Sequence, residues 1–420
     1  MKTKMKDARK KTTYFLFLML LFISACAPNP TATPTPTAPP LIFPQTPTPF
    51  VPECSSVESV PTPAASDASL FPPVSDADQR YGPVNAATSF LFYGDFQDPP
   101  SAELALVLIK LREKYPEDLQ IIFRDFPLVT NPGHEKAAYA AHAVHAAALQ
   151  GKYWRMHDSL FIKQAEWSPL SIKDFQTWLA NEATLLGMDA AQLAADMERE
   201  EIIEKVKVSF VKANEIGLPG TPFVLINGQI YAGNLSIDAL DQIISLILLG
   251  ERQFTSCPPM VIDSEKEYLA TLVTEKGEIV IQFYPASAPI AVNNFIFLAQ
   301  AGWYSGITFH RVVPNYFAET GDPSGTGQGN SGYFFKNEID SSLSFNRPGI
   351  VAMKNIGENT NGSQFFITYD AVPSYDGKYT IFGQVLSGMD VLEKLSPRDP
   401  KLGEILPAGD TLLNVTIEER

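Results

Sequence analysis

Twelve prolines fall among the 38 residues from Ala27 to Ala64, beginning Ala27-Pro28-Asn29-Pro30 and running on in Thr-Pro repeats. Proline locks φ and offers no amide to donate, so neither a helix interior nor a central strand can run through this stretch. A chain of this composition favours extended polyproline II and acts as a semi-rigid spacer. It splits the 420 residues into a short leader and a long body. That body exceeds what one hydrophobic core organises, so two folded domains are expected. A hydrophobic content of 45% excludes both a polytopic membrane protein and a wholly disordered chain. The net charge of −15 excludes nucleic acid as the main partner, because phosphate binding needs a cationic surface. Three cysteines are too few for a disulfide scaffold or a four-thiolate zinc site.

Ahead of the spacer, Lys2 to Lys11 carries six basic residues and one acid, followed by an apolar run from Tyr14 to Ala25. That run is too short to cross a bilayer as a helix and reads as a secretory signal. It ends in Ile23-Ser24-Ala25-Cys26, which resembles the bacterial lipobox. The resemblance implies removal of residues 1–25, lipid attachment at Cys26, and a Pro/Thr-rich linker over 26–65. The chain is then expected to be extracytoplasmic, held to the bacterial cell membrane by its N-terminal lipid. With Cys26 acylated, Cys54 and Cys257 remain as an even pair. They stand at the two ends of the first folded unit, where a disulfide is expected to close its base. By the chain-entropy argument such a closure constrains the unfolded chain by about 4–5 kcal/mol.

Residues 66–255 read as an α/β unit. Thr88–Tyr93 and Leu119–Arg124 are β-prone, with a helix expected over Ser101–Tyr115 from the spacing of Leu104, Leu108 and Leu111. An Ala-rich helix over Glu135–Leu149 opens a helical region that lasts to about Asn214, followed by Gly217-Leu218-Pro219-Gly220-Thr221-Pro222, a strand and a turn. This order resembles the DsbA-like thioredoxin fold with its helical insertion. Tyr93-Gly94-Asp95-Phe96-Gln97, the Gly151–Asp158 segment and Thr221-Pro222 carry the likeness, and the family's Thr-Pro bond is cis. Where that family has its Cys-Pro-X-Cys pair, this chain has Asp98-Pro99-Pro100-Ser101. Exchange requires a thiolate, so Asp98, Ser101 and Pro222 mark a vestigial, redox-inactive site. Asp98 and Ser101 are expected at a helix N-terminus, and a retained groove at Pro222 offers a second expectation, binding of extended peptide by strand addition. His134, His142, His145 and His157 are expected in helix-surface or capping roles, with no metal bound: His142 and His145 share a helix face, but no ligand completes a set.

From residue 262 to 420 the texture becomes strands and tight turns. Tyr268–Val273 and Glu278–Phe283 flank Glu275-Lys276-Gly277, and Ala288–Gln300 is amphipathic with Pro289 in its first turn. Then Phe309-His310-Arg311-Val312-Val313-Pro314, Gly321-Asp322, Gly325–Gly329, Asn359–Ile367 and Asp376–Gly383 follow in order. These motifs resemble the cyclophilin family of peptidyl-prolyl isomerases over about 160 residues. The resemblance implies an eight-stranded antiparallel β-barrel with two helices, no cofactor, and proline-containing polypeptides as substrates. It assigns Arg311 as the catalytic guanidinium and Phe366 as the floor of the proline pocket, with Phe317 and Tyr316 as walls. Tyr375 stands at the rim, Tyr379 replaces a histidine of animal members, and Gln364 and the Asn355 backbone hold the substrate chain. Glu319 stands where the family has glutamine, able to pair with Arg311. Strand alternation sends His310 to the opposite face from Arg311, so it is read as structural. The expected function is rotation of X-Pro bonds in exported proteins. The alternative is a proline-peptide binding protein or chaperone, weak in catalysis because Glu319 engages Arg311.

Overall fold

The computed structural model describes residues 53–57, 71–400 and 409–420. The expected signal, Cys26 and nearly all of the 26–65 linker lie outside the described residues. The chain enters through a short strand, β1 (Cys54–Ser56), within the stretch expected to be linker. It pairs antiparallel with β12 (Tyr333–Phe335), so that Cys54 opposes Phe335.

The first layer is a five-stranded sheet in the order β2-β4-β3-β5-β6. At its centre β3 (Thr88–Gly94) runs parallel to β4 (Leu119–Asp125), with α1 (Pro99–Lys114) as the crossover. A parallel central strand is covered on both faces, and β3 reads accordingly as a nearly unbroken apolar run. The edges are β2 (Gln79–Tyr81) and the hairpin of β5 (Phe223–Ile226) with β6 (Gln229–Tyr231). Asn227 and Gly228, both at positive φ, make the hairpin turn, a conformation cheap only for such residues.

Between β4 and β5 lie α2 (Ala137–Leu149), α3 (Tyr153–Ile162), α4 (Gln164–Trp167), α5 (Ile172–Leu185), α6 (Ala190–Met197) and α7 (Glu200–Glu215), and α8 (Ile237–Gly250) follows the sheet. Two boundaries differ from expectation. Helix α1 starts at Pro99 rather than Ser101, because Asp98 caps it and both prolines fit the first turn, whose amides have no partner in the helix. Helix α2 starts at Ala137 rather than Glu135.

The second body is one antiparallel sheet of nine strands, not eight, in the order β10-β11-β14-β13-β15-β8-β7-β16-β9. Its members are β7 (Tyr268–Thr274), β8 (Gly277–Phe283), β9 (Ile307–Thr308), β10 (Arg311–Val313), β11 (Phe317–Thr320), β13 (Ile350–Met353), β14 (Phe365–Thr368), β15 (Ile381–Ser387) and β16 (Thr411–Glu419). The two edge strands, β9 and β10, are separated in sequence by only Phe309 and His310. The sheet therefore curls until its ends nearly meet, and the interruption at those two residues divides one closing strand into two. Helices α9 (Pro289–Gln300) and α10 (Met389–Leu392) accompany the sheet.

The two bodies share a junction within one compact unit, Phe50–Arg420. Leu249 of α8 is buried in the core of the curled sheet, and Phe254 packs edge-on against Phe297. Cys54 and Cys257 are disulfide-bonded, with Cα atoms 5.8 Å apart. The expected bond thus closes the loop that carries the α/β unit, and through the pairing of β1 with β12 Cys54 also packs against the curled sheet.

Candidate functional site

Alternation along three neighbouring strands sorts side chains between a core and a groove. In β10 Val312 enters the core while Arg311 and Val313 face away; in β11 Ala318 does so while Phe317 faces away; in β14 Phe365 and Ile367 do so while Phe366 faces away. The outward set forms the floor of a groove of about 600 Å³, lined by Arg311, Phe317, Glu319, Phe366, Tyr375 and Tyr379 among others. Phe366 is 2% exposed, and its ring meets those of Phe317, Phe345, Tyr375 and Tyr379 at centroid distances of 6.0, 5.9, 5.8 and 5.3 Å.

At one end of this aromatic floor the Arg311 guanidinium carbon lies 4.9 Å from the centre of the Phe317 ring. Its Nε and Nη2 donate to the two carboxylate oxygens of Asp399 at 2.9 and 3.3 Å, and Nη1 stands 3.5 Å from Glu319 Oε1. Burial works against the charge on Arg311, but the Asp399 hydrogen bonds and the Glu319 carboxylate outweigh it and raise its affinity for the proton. Burial first, and neighbouring Tyr316 next, push the Tyr375 phenol above its ordinary value. Burial and then Glu319 do the same for Tyr379. Both hydroxyls therefore stay protonated and can donate. The site joins an apolar bed to a fixed cation and phenolic donors.

The cyclophilin type peptidyl-prolyl cis-trans isomerase family matches residues 269–418. A peptidyl-prolyl cis-trans isomerase-like 1 of Emericella nidulans is 46% identical over 128 residues, 30% of this chain and 79% of the relative. The chain belongs to the cyclophilin family. It is a peptidyl-prolyl cis-trans isomerase, as its named relatives are. The isomerase ppi1 of Schizosaccharomyces pombe is also 46% identical, over 127 residues, covering 30% of this chain and 82% of the relative. A crystal structure of a Cryptosporidium parvum cyclophilin type isomerase shares 32% identity, covering 37% of this chain and 99% of that one, with a TM-score of 0.34. The thioredoxin family matches residues 75–245, making the first body a thioredoxin-like domain.

Within the cyclophilin groove the structure redistributes several expected roles. Asn355 lines the groove, its side-chain amide donating to the Lys378 carbonyl at 3.3 Å. Tyr316 stands behind the wall rather than in it, its ring tilted against Phe317 at 4.8 Å and edge-on to Tyr375 at 5.6 Å. Gln364 does not line the groove. Its amide nitrogen donates to the carbonyls of Gly327 and Gly329 at 3.2 and 2.6 Å, and its oxygen accepts from Lys354. It therefore anchors the glycine-rich loop, which Asp322 also ties down through the amides of Gly327 and Gly329.

His310 does not point away from the site. It precedes β10, so strand alternation does not govern it, and Nε2 lies 4.0 Å from Glu319 Oε2. Burial lowers its pKa to about 4, leaving it neutral, and neither ring nitrogen has a hydrogen-bond partner. Asp399 and Phe345 were not singled out from sequence. Phe345 sits in a loop without periodicity, and Asp399 is 88 residues from Arg311; no local signal marks either.

In the thioredoxin-like domain, Asp98 Oδ2 accepts from the Ser101 amide and hydroxyl and from the Thr221 hydroxyl, at 3.0, 2.6 and 3.0 Å. A carboxylate thus seals the helix end where an exchange cysteine would have to stand. The Thr221-Pro222 bond beside it is cis. Three histidines are not on helix surfaces as expected. His145 and His157 are buried, and His134 is largely so, each against a carboxylate: Asp125, Asp158 and Asp95 respectively. An imidazole inside this small domain needs such a partner to satisfy its polar nitrogen. Among the described residues no cluster of His, Cys, Asp and Glu has the makings of a metal site.

Proposed function

We propose that Arg311 is the group that lowers the rotation barrier, on a proline ring seated over Phe366. Rotation about an X-Pro bond is opposed by about 18–20 kcal/mol, because nitrogen shares its lone pair with the carbonyl. In the twisted state that lone pair is localised and can accept a hydrogen bond. A charged guanidinium donates more strongly than a neutral group, and more so beside apolar walls than in water. The observation that carries this reading is Arg311 held 4.9 Å above Phe317, at the end of the bed formed by Phe366. Tyr375 and Tyr379 border the proline, the Asn355 backbone holds the flanking chain, and Gln364 shapes the site through the glycine loop.

We further propose that the substrates are exported polypeptides, met outside the cytoplasm by an enzyme anchored through lipid on Cys26. The leader and its Ile23–Cys26 ending support this, as does the Cys54–Cys257 pair, which suits an oxidising compartment. The thioredoxin-like domain is then a DsbA-like module without redox chemistry, serving as a spacer or a holder of extended peptide. A second reading, a binding protein with weak turnover, draws on the 3.5 Å approach of Glu319 to Arg311. Cis/trans exchange on a short Ala-Pro peptide separates the two. Acceleration lost in Arg311→Ala supports catalysis by Arg311. Peptide bound without acceleration by the wild type favours the binding protein.

A further inference from the structure

We propose that Asp399 is a positioning residue for the isomerase reaction: it holds the Arg311 guanidinium in its working plane from the side opposite Glu319. This rests on the assignment of Arg311 as the catalytic donor. Strand β10 is the edge of the curled sheet, and its free side is taken by the segment Ser396–Pro400. Val312 donates to the Arg398 carbonyl at 2.6 Å, and Arg398 returns the bond at 2.9 Å, which makes an antiparallel bridge. Arg398 Nε also donates to the His310 carbonyl at 3.1 Å. In an antiparallel pair, residues flanking such a bridge stand directly opposite each other on one face. With Val312 opposite Arg398, Arg311 is opposite Asp399. On the other flank the β10–β11 register sets Arg311 opposite Glu319. The guanidinium therefore has a carboxylate on each side, both delivered by backbone register.

The two contacts are unequal. Asp399 takes Nε and Nη2 in a two-bond fork, a geometry that fixes the plane of the group. Glu319 lies 3.5 Å from Nη1, beyond a good hydrogen bond. Arg side chains carry substantial rotamer freedom, so an untethered Arg311 would spend little time in one orientation above Phe317. Asp399 removes that freedom before substrate arrives, while the Nη1 side keeps a weaker partner that substrate can replace. Since a misplaced catalytic group can cost about 100-fold, loss of the fork should slow rotation by about 10- to 100-fold.

The test is a cycle of wild type, Asp399→Ala, Arg311→Ala and the double variant in the full chain. Exchange rates and affinity are read on an Ala-Pro peptide, with Asp399→Asn as the isosteric second variant should the alanine variant unfold. The expected result is a kcat lowered about 10- to 100-fold by Asp399→Ala, with peptide Kd changed less than about threefold. In the Arg311→Ala background, the Asp399 change should have no further effect on rate. A rate within about twofold of wild type for a folded Asp399 variant, while Arg311→Ala is inactive, overturns the positioning role and leaves Arg311 standing. Additive losses in the double variant overturn it too. An active Arg311→Ala overturns both assignments.

Discussion

Arg311 and Glu319 stand directly opposite each other on neighbouring antiparallel strands, with 3.5 Å between Nη1 and Oε1. The pair is partly exposed to the groove, so its worth is modest, on the order of 1 kcal/mol. Replacing Glu319 by glutamine removes the competing charge and keeps the shape. The expected outcome is a kcat/KM raised by about two- to tenfold in the peptide exchange assay, since 1.4 kcal/mol is tenfold. A lowered value would show that Glu319 aids Arg311 rather than restraining it.

Phe366 carries both the groove floor and part of the packing beneath it. Truncation to alanine is expected to cost about 3–5 kcal/mol of stability in denaturant unfolding. Phe366→Leu is the more informative variant. It should keep most of the stability and lose proline-peptide affinity, measured by calorimetry, because a flat ring face is no longer offered.

His310 makes acid stability testable. Its folded pKa, about 4, lies below the ordinary 6.5 because burial disfavours the charged ring. The unfolded chain therefore binds more protons between those values, and stability falls as pH drops from 6.5 towards 4. The loss attributable to this group reaches about 3 kcal/mol. Unfolding free energies measured across that window should slope less steeply in His310→Gln than in the wild type.

The end of helix α1 supplies a gain-of-function test. Asp98→Cys with Ser101→Cys places two thiols at a helix N-terminus, where thiolates are favoured. The double variant is expected to catalyse disulfide reduction of a peptide substrate faster than the unaltered chain. Loss of the Asp98 cap should cost it about 0.5–2 kcal/mol. A double variant that folds but exchanges no disulfide would show that more than the thiols has been lost.

Cys26 gives the tethering proposal a direct readout. Cys26→Ala, expressed in a bacterial host, should move the chain from the membrane fraction to the soluble one. An unchanged distribution would remove the lipid anchor.

Sequence reading reached what local pattern controls. The Asp98 cap follows from side-chain type ahead of a helix. Arg311 and the aromatic floor were reached through motif order. What escaped depends on which distant segments become neighbours. Asp399 acts only because Ser396–Pro400 borders β10, and β1 is a strand only because β12 offers an edge. Gln364 was assigned to substrate, yet its amide serves the Gly327 and Gly329 carbonyls, a competition visible only once the loop is folded. His310 escapes alternation for a nearer reason: β10 begins at Arg311, one residue after it.

The pairing of β1 with β12 and the Cys54–Cys257 bond together decide how the molecule bears load. The bond spans a sequence separation of 203 residues, and the whole thioredoxin-like domain lies inside the covalent ring it closes. A pull on the chain ahead of Glu53 passes from Cys54 across the sulfurs to Cys257, and by the β1 ladder to the cyclophilin sheet. The ring is bypassed. The thioredoxin-like domain can unfold and refold inside that ring without lengthening the path from Glu53 to the cyclophilin sheet.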